Sequence, residues 1–318
     1  MRALGASLAL LIPSALACAP SQRVARLGDL RLQSGAIISD AFVGYRTLGT
    51  LNAAKSNAVL VTPWYQGNSG QLAGQIGPGK LVDSSTYFVI MVDALGNGVS
   101  SSPSNSARQP GASFPVFTIG DIVESHYQLV TRTFQLSHLH AVVGISMGGM
   151  QVFQWMMAHP GFIDKSVSIV GSPQSQPDDH ARCEGIIRAV QVPRWTRTRQ
   201  ALARLQPRAA LHELRIHPYD YIRQAQAITA LDVLRGFGGS MERAASAIRT
   251  ELMVVSTWQD REVNPKPAFT FGRVARGEVL ELDGRCGHQA PSCESATLWP
   301  AVARFLGRAT ATPASSGR

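Results

Sequence analysis

The sequence has few cysteines and few lysines, and neither residue forms a pattern typical of a binding site. Its four cysteines include no C-x-x-C pair and no His/Cys spacing suited to a metal, so we expect neither a metal nor a cofactor. Lysine occurs 4 times against 26 arginines, and the arginines are dispersed without a nucleic-acid-binding motif. We therefore expect no nucleic-acid partner. Internal repeats are lacking too.

Long hydrophobic runs are also missing. The apolar run at residues 3–12 is too short to span a bilayer as a helix. It follows a short basic start and precedes Ala15-Leu16-Ala17, which fits the small-x-small cleavage rule, so we predict a signal peptide at residues 1–17 and a periplasmic or secreted protein. Cys18 at the cleavage point raises the alternative of a lipoprotein with a lipid anchor. A buried N-terminal helix of a cytosolic enzyme is the other alternative.

The rest of the chain has the composition of a globular enzyme. It is 318 residues long, 45% hydrophobic and 16% charged, enough for one domain at residues 18–318 with a large core. Strands alternate with helical stretches such as residues 120–134, which indicates a mostly parallel sheet with helices on both faces. The second to sixth strands are predicted near residues 41–46, 58–62, 87–92, 139–143 and 166–170, and two more at residues 251–257 and 278–282. We expect the small, polar tail at residues 309–318 to be disordered.

Residues 173–249, between the sixth strand and the next, are too many for a simple crossover. We predict a helical lid there, with helices at residues 181–190, 198–205, 218–234 and 241–249. Residues 174–249 carry 12 Arg and 7 Asp or Glu, a net +5 of the chain's +9. One interpretation is a lid that attracts anionic acyl substrates or an anionic surface. The other is a solvated face in an arginine-rich chain.

The chemistry is indicated first by Gly144-Ile145-Ser146-Met147-Gly148, which fits G-x-S-x-G. Residues 139–143 before it read as a buried strand, and residues 149–159 after it as a helix with an apolar side. Strand, sharp turn and helix form the nucleophile elbow of an α/β-hydrolase, in which the turn exposes the serine hydroxyl above the sheet. The alternative is an ordinary glycine-rich turn at a strand end.

A serine nucleophile needs a base and an orienting acid, which follow it in this fold in the order Asp or Glu, then His. Asp260 lies in the loop after the strand at residues 251–257, and His288 lies in the loop after the last strand. We predict that His288 takes the Ser146 proton and that Asp260 holds the imidazole. Asp283 is the rival acid on the histidine's own loop. Asp93, after the strand at residues 87–92, is a second rival that we interpret as structural.

The other histidines precede the last strand, and a solvated or hydrogen-bonded role is predicted for each: His126, His138, His140, His159, His180, His212 and His217. A tetrahedral oxyanion also needs two N–H donors. The first is predicted to be the N–H of Met147, and the second that of Trp64, with Tyr65 next, from the loop after the third strand. Cys286 and Cys293 bracket His288, so a bridge between them would hold the base in place. Free thiols or a Cys286 to Cys183 bridge are the alternatives.

More than half of the chain resembles the homoserine O-acetyltransferase branch of the α/β-hydrolases. The similar text is F-P-V-F-T-I-G-D-I-V at residues 114–123, V-V-G-I-S-M-G-G-M-Q at residues 142–151, Trp155 and His159-Pro160, with a Gly/Ser-rich loop at residues 93–105. The resemblance implies an α/β-hydrolase fold, with a mostly parallel eight-stranded sheet, helices on both faces and a helical lid after the sixth strand. It also implies a Ser-His-Asp enzyme that moves an acyl group, in the family's namesakes from acetyl-CoA to homoserine.

The chain departs from that branch where the family binds its acceptor. Residues 183–195 do not reproduce the Gln-Arg-x-Ala-Ile motif whose Arg is expected to meet the amino-acid carboxylate. Arg182 and Arg188, our candidates for substrate binding, are nearby but out of register. The family's Gly-His-Asp is here Gly287-His288-Gln289. Since an exported enzyme would lack acetyl-CoA, we predict hydrolysis of small acyl esters, with O-acetyl transfer as the alternative. A non-catalytic binding protein is the third hypothesis, and a homodimer is left open.

Overall fold

The computed structural model describes residues 20–191 and 217–309. The predicted signal peptide, Cys18, the predicted helix at residues 198–205 and nearly all of the predicted disordered tail lie outside these residues. Within the described ranges, no helix combines the length and the apolar character needed to cross a membrane.

Eight strands form one sheet in the order β1-β2-β4-β3-β5-β6-β7-β8. β2 pairs antiparallel with β1 and β4, and all other neighbours are parallel. The strands are β1 (Arg23–Arg31), β2 (Ile37–Leu48), β3 (Ala58–Thr62), β4 (Phe88–Val92), β5 (Leu139–Ile145), β6 (Ile163–Ile169), β7 (Glu251–Ser256) and β8 (Glu278–Glu281). The mostly parallel eight-stranded sheet expected from the sequence is therefore confirmed.

Helices connect these strands. Within the described residues they are α1 (Ser69–Leu72), α2 (Ile119–Gln128), α3 (Met147–Ala158), α4 (Pro177–Gln191), α5 (Pro218–Thr229), α6 (Met241–Ala247), α7 (Lys266–Val274), α8 (Ala290–Cys293) and α9 (Ser295–Gly307). The predicted helix at residues 120–134 begins one residue earlier, because Thr118 and Asp121 form a reciprocal capping box at its start. Its α-helical part ends at Gln128, and Leu129–Thr133 forms a π-helical turn.

The core lies on both faces of the sheet, because the central strands are buried on both sides. Val142 of β5 packs in one cluster with Phe153 and Trp155 of α3. Its neighbour Val143 belongs to the cluster on the opposite face, which includes Phe305 of α9. Successive strand residues point to opposite faces, so an uninterrupted apolar run fills both layers. Because neighbouring strands in this part of the sheet are parallel, their carboxyl ends meet at one edge of the sheet.

The described part of residues 173–249 is mainly helical and packs against that edge. α4 begins at Pro177, four residues before its predicted start, and α5 begins at Pro218, as predicted. One arginine of this segment is structural: the buried Arg223 of α5 donates to the carbonyl oxygens of Phe114 and Ala112 at 2.9 and 2.8 Å. Burial lowers the pKa of its guanidinium. The positive charge of the segment is therefore not all available to a substrate.

Candidate active site

Ser146 occupies a strained turn between β5 and α3. Its φ is 58° and its ψ is −119°, in a region that residues with a side chain rarely adopt. Two main-chain bonds hold it there: its N–H donates to the carbonyl oxygen of Ile169 at 2.8 Å, and its own carbonyl accepts the N–H of Met150 at 3.0 Å. The turn ends strand β5 and at once starts helix α3, as in a nucleophile elbow.

Glycines permit this turn because main chain passes against main chain. A Cβ placed on Gly144 would lie 2.1 Å from the carbonyl oxygen of Gly148, and one on Gly148 would lie 2.3 Å from that of Thr62. A Cβ on Gly171, just beyond β6, would lie 2.5 Å from the carbonyl carbon of Gly149. Backbone atoms cannot rotate away as a side chain can, so these positions accept no side chain.

The structure brings Ser146, His288 and Asp260 together in one chain of hydrogen bonds. His288 Nε2 lies 2.7 Å from Ser146 Oγ, and His288 Nδ1 lies 2.7 Å from Asp260 Oδ2. Ser146 is 8% and Asp260 6% exposed, so both links are shielded from water. Such a chain allows a proton to pass from the hydroxyl to the imidazole while the carboxylate fixes the tautomer of the ring.

Asp260 is fixed by its own loop. Its Oδ1 accepts the N–H of Glu262 at 2.8 Å and that of Val263 at 3.0 Å, which leaves Oδ2 for His288. Its position after β7 thus presents one oxygen to the imidazole and uses the other to close the turn. This orientation of the side chain satisfies the two loop amides and the imidazole at the same time.

His288 lies in a short 3-10 turn, Gly287–Gln289, after β8. Cys286 and Cys293 form a disulfide that spans this turn, whereas Cys183 is a buried free thiol. The structure therefore contains the predicted bridge around the histidine. It contains neither free thiols at Cys286 and Cys293 nor a bridge from Cys286 to Cys183. The bridge ties the turn to α8.

The two rival acids have other surroundings. Asp93 is fully buried and accepts from Ser69 N and Oγ at 2.7 Å each and from Gln22 Nε2 at 2.9 Å, so it joins the start of α1 to the chain before β1. Asp283 is exposed. The acid that contacts His288 is Asp260.

Among the described residues, two cavities meet at Ser146. The outer one, of about 300 Å³, includes Trp64, Tyr65, Gln289 and Glu262 in its wall, together with His288. The inner one, of about 90 Å³, lies beneath α4 and α5 and is mostly apolar. Its apolar wall consists of Met147, Met150, Cys183, Ile186, Ile228 and Val263. Trp64 and Tyr65, the predicted sources of the second oxyanion donor, therefore lie at the site, as does Met147 at the first position of α3.

The two arginines considered for substrate binding differ in position. Arg182 lies at the inner cavity, where its guanidinium donates to the main-chain carbonyl oxygens of Glu262, at 3.0 Å, and of Arg261. Arg188 lies two turns further along α4, is largely exposed and pairs with Glu184 at 3.4 Å. It is not in the wall of either cavity at Ser146.

Sequence reasoning missed two features of the site. Glu262 contributes to the walls of both cavities, although its sequence position, two residues after the acid, carries no pattern that points to them. Gln66 contacts Gln224 of α5, a residue 158 positions away in the chain. A contact of two isolated glutamines at such a separation leaves no local signal in one sequence.

The strand, turn and helix around Ser146 and the sheet order define an α/β-hydrolase. Residues 66–266 match the family model for the alpha/beta hydrolase fold, and the chain belongs to that family. The fold is similar to that of an acetylester hydrolase from Corynebacterium glutamicum, with a TM-score of 0.81 and 24% identity over 90% of this chain and 95% of that one.

Relatives of two kinds share sequence with the chain. It is 36% identical over 166 residues to an ethyl acetate hydrolase of Pseudomonas veronii, an alignment that covers 52% of this chain and 48% of that protein. It is 28% identical over 348 aligned positions to a homoserine O-acetyltransferase of Methanohalophilus mahii, covering 88% of this chain and 71% of that protein. The chain spans about half the length of the esterases that it matches.

The close approach of α3 to the end of β6 can be tested with one methyl group. We expect Gly171→Ala to lower the free energy of unfolding by about 3 kcal/mol, because its Cβ would meet the backbone of Gly149. Gly185→Ala in α4 is the matched control: nothing lies within 4 Å of its Cβ, and alanine favours a helix, so stability should hold or rise slightly. Urea unfolding measures both. Equal effects of the two substitutions would show that the approach is not tight.

Proposed function

We propose that this protein is a serine hydrolase that cleaves small acyl esters through an acyl-enzyme. The hydrogen-bonded chain from Ser146 through His288 to Asp260 is the observation that carries the proposal. The family shares this chemistry between hydrolases and transferases, so the residues around the chain decide between water and another acceptor.

The geometry supports one role for each residue. Ser146 Oγ attacks the ester carbonyl while His288 Nε2 accepts its proton, and the resulting imidazolium is stabilised by Asp260 Oδ2. The imidazolium then returns the proton to the departing alcohol as the C–O bond breaks. In the second half, His288 takes a proton from water, water attacks the acyl-enzyme, and the carboxylic acid leaves with Ser146 restored.

Two main-chain donors are proposed for the oxyanion. The N–H of Met147 stands at the first position of α3, where amides point out of the helix and carry partial positive charge. The second is the N–H of Trp64, with Tyr65 as the alternative, since both residues lie in the wall of the outer cavity. Each such donor typically contributes about 10²- to 10³-fold to the rate.

The inner cavity supports a short acyl chain. Its volume of about 90 Å³ is far below the roughly 300 Å³ at which pockets for drug-sized ligands begin. Ile186 of α4 and Ile228 of α5 are part of its wall, together with Cys183. Burial raises the pKa of the Cys183 thiol, so this side chain stays protonated and serves as an apolar surface.

Water is the acceptor that the surroundings favour. An arginine that receives an amino-acid carboxylate needs free donors, whereas the Arg182 guanidinium uses two of its five N–H donors on main-chain carbonyls. The similarity to an ethyl acetate hydrolase supports the same conclusion. O-acetyl transfer from acetyl-CoA to a hydroxyl is the second candidate, and the similarity to a homoserine O-acetyltransferase over 88% of this chain favours it.

The fate of the acetyl group distinguishes the two candidates. We expect purified protein to turn over p-nitrophenyl acetate and to release the acetyl group as acetate whether or not homoserine is present. Accumulation of O-acetylhomoserine, detected by mass spectrometry, would establish transfer instead.

Three variants test the residues in the same assay. Ser146→Ala should abolish turnover, and Asp260→Asn should lower kcat by about 10⁴-fold because the wrong tautomer of His288 is then favoured. Asp283→Asn, a substitution of the rival acid, should leave kcat unchanged. Turnover by Ser146→Ala equal to that of the wild type would reject the proposed nucleophile.

Acyl-chain length tests the inner cavity. We expect Ile186→Ala to raise kcat/KM for p-nitrophenyl hexanoate relative to acetate by at least about tenfold, since one methylene in an apolar pocket is worth about 1–3 kcal/mol. Ile187→Ala, one residue along α4 and outside the cavity wall, is the matched control and should not change the ratio. An unchanged ratio in both variants would locate the acyl chain elsewhere.

Export is proposed as well, with the mature chain starting at Cys18. The apolar run and cleavage site at the N-terminus support it, and so does the Cys286–Cys293 disulfide, a bond that persists in oxidising compartments. In a bacterial host we expect a periplasmic or membrane-associated product with the mass of residues 18–318, or that mass plus lipid. Leu8→Arg should keep the chain uncleaved in the cytosol. A wild-type cytosolic product of 34.1 kDa would contradict export.

A further inference from the structure

The loop at residues 63–68, which follows β3 and supplies Trp64 and Tyr65, is bonded to α5 through buried amides. Gln66 is 6% exposed and Gln224 of α5 is fully buried. Gln224 Oε1 accepts the main-chain N–H of Gln66 at 2.8 Å and its side-chain Nε2 at 2.9 Å. Gln224 Nε2 donates to the carbonyl oxygen of Leu95 at 2.8 Å. The Gln224 amide therefore uses both of its ends, which fixes its orientation.

The bond from Gln66 N–H coincides with an unfavourable backbone conformation. Gln66 has a φ of 58°, in the left-handed region that residues with a side chain rarely adopt. Two hydrogen bonds stabilise this conformation. Gly67 N–H donates to the carbonyl oxygen of Trp64 at 2.9 Å, and Gln224 accepts the Gln66 N–H. Without the Gln224 oxygen, a buried N–H would lose its acceptor, and the strain would favour another turn.

A second contact holds the same loop to the same helix. The Tyr65 hydroxyl donates to the carbonyl oxygen of Tyr221 at 3.0 Å, and the two rings meet edge to face at 5.6 Å. Burial raises the pKa of the Tyr65 hydroxyl well above its usual value, so it remains a donor. The Trp64 and Tyr65 amides thus lie two residues and one residue before Gln66, whose N–H is held by Gln224 of α5.

We propose that Gln224 is a positioning residue that aims the second oxyanion donor. By accepting the Gln66 N–H, it holds residues 63–68 in the turn that directs the Trp64 or Tyr65 N–H towards the carbonyl oxygen of an ester at Ser146. The proposal rests on the proposed esterase function. On this proposal α5 contributes to the catalytic geometry indirectly, because Gln224 contacts the loop and not the reacting atoms.

The test compares Gln224→Met and Gln224→Asn with the same substitutions at Gln226, a half-buried glutamine on the same helix. Methionine keeps the volume and removes the acceptor, while asparagine keeps an amide but withdraws it by one methylene. We expect kcat for p-nitrophenyl acetate to fall about 10²- to 10³-fold in both Gln224 variants, with KM little changed, because one oxyanion donor is misdirected. The Gln226 variants should keep the wild-type kcat.

A transition-state analogue separates positioning from a structural role. An alkylboronic acid forms a tetrahedral adduct with the serine and places an oxygen where the oxyanion lies, so its affinity should fall by a factor similar to that of kcat, measured well below the thermal midpoint of each variant. If Gln224→Met does not fold, Gln224→Asn decides. Wild-type kcat and boronate affinity in a folded Gln224 variant would overturn the proposal, whereas an inactive wild-type enzyme would instead reject the esterase function.

Discussion

The site depends on direct contact of main chain with main chain where α3 starts above the sheet. The carbonyl oxygen of Gly148 occupies the space of a Cβ on Gly144, and a Cβ on Gly171 beyond β6 would lie 2.5 Å from the carbonyl carbon of Gly149. Atoms of the backbone have no rotamers with which to relieve such contact, so the helix start has one position relative to β5 and β6. Ser146 is the residue between them, and its strained φ follows from that placement.

His288 and Asp260 are placed relative to this fixed position of Ser146. Asp260 satisfies two amides of its own loop with one oxygen and offers the other to the imidazole, so the acid needs no further support. The histidine turn is different: it is half-exposed and short, and the disulfide between Cys286 and Cys293 restricts it instead.

The sequence predicts the parts of this arrangement that are local or follow from chain order. The elbow is predicted from five consecutive residues, and the acid and base from their places after the last two strands. The sequence does not predict β1, because the register shifts at Gly28 interrupt the alternation that identifies a strand. β6 begins at Ile163, earlier than predicted. The predicted start is too late because a lysine at position 165 suggests a surface residue. Lys165 is in fact buried and donates to the carbonyl oxygens of Phe305 and Leu306 at the end of α9.

The contacts that the sequence does not predict are long-range and polar. They distinguish the two helices α4 and α5 of residues 173–249. α4 contributes Cys183 and Ile186 to the inner cavity, where a change of side chain alters the space offered to an acyl group. α5 accepts the N–H of Gln66 through Gln224, where most changes would leave a buried donor unpaired. The departures from the homoserine O-acetyltransferase pattern at residues 183–195 begin in α4. Changes in α4 therefore alter the wall of the inner cavity, to which α5 adds Ile228, whereas changes at Gln224 of α5 alter the contact with the loop at residues 63–68.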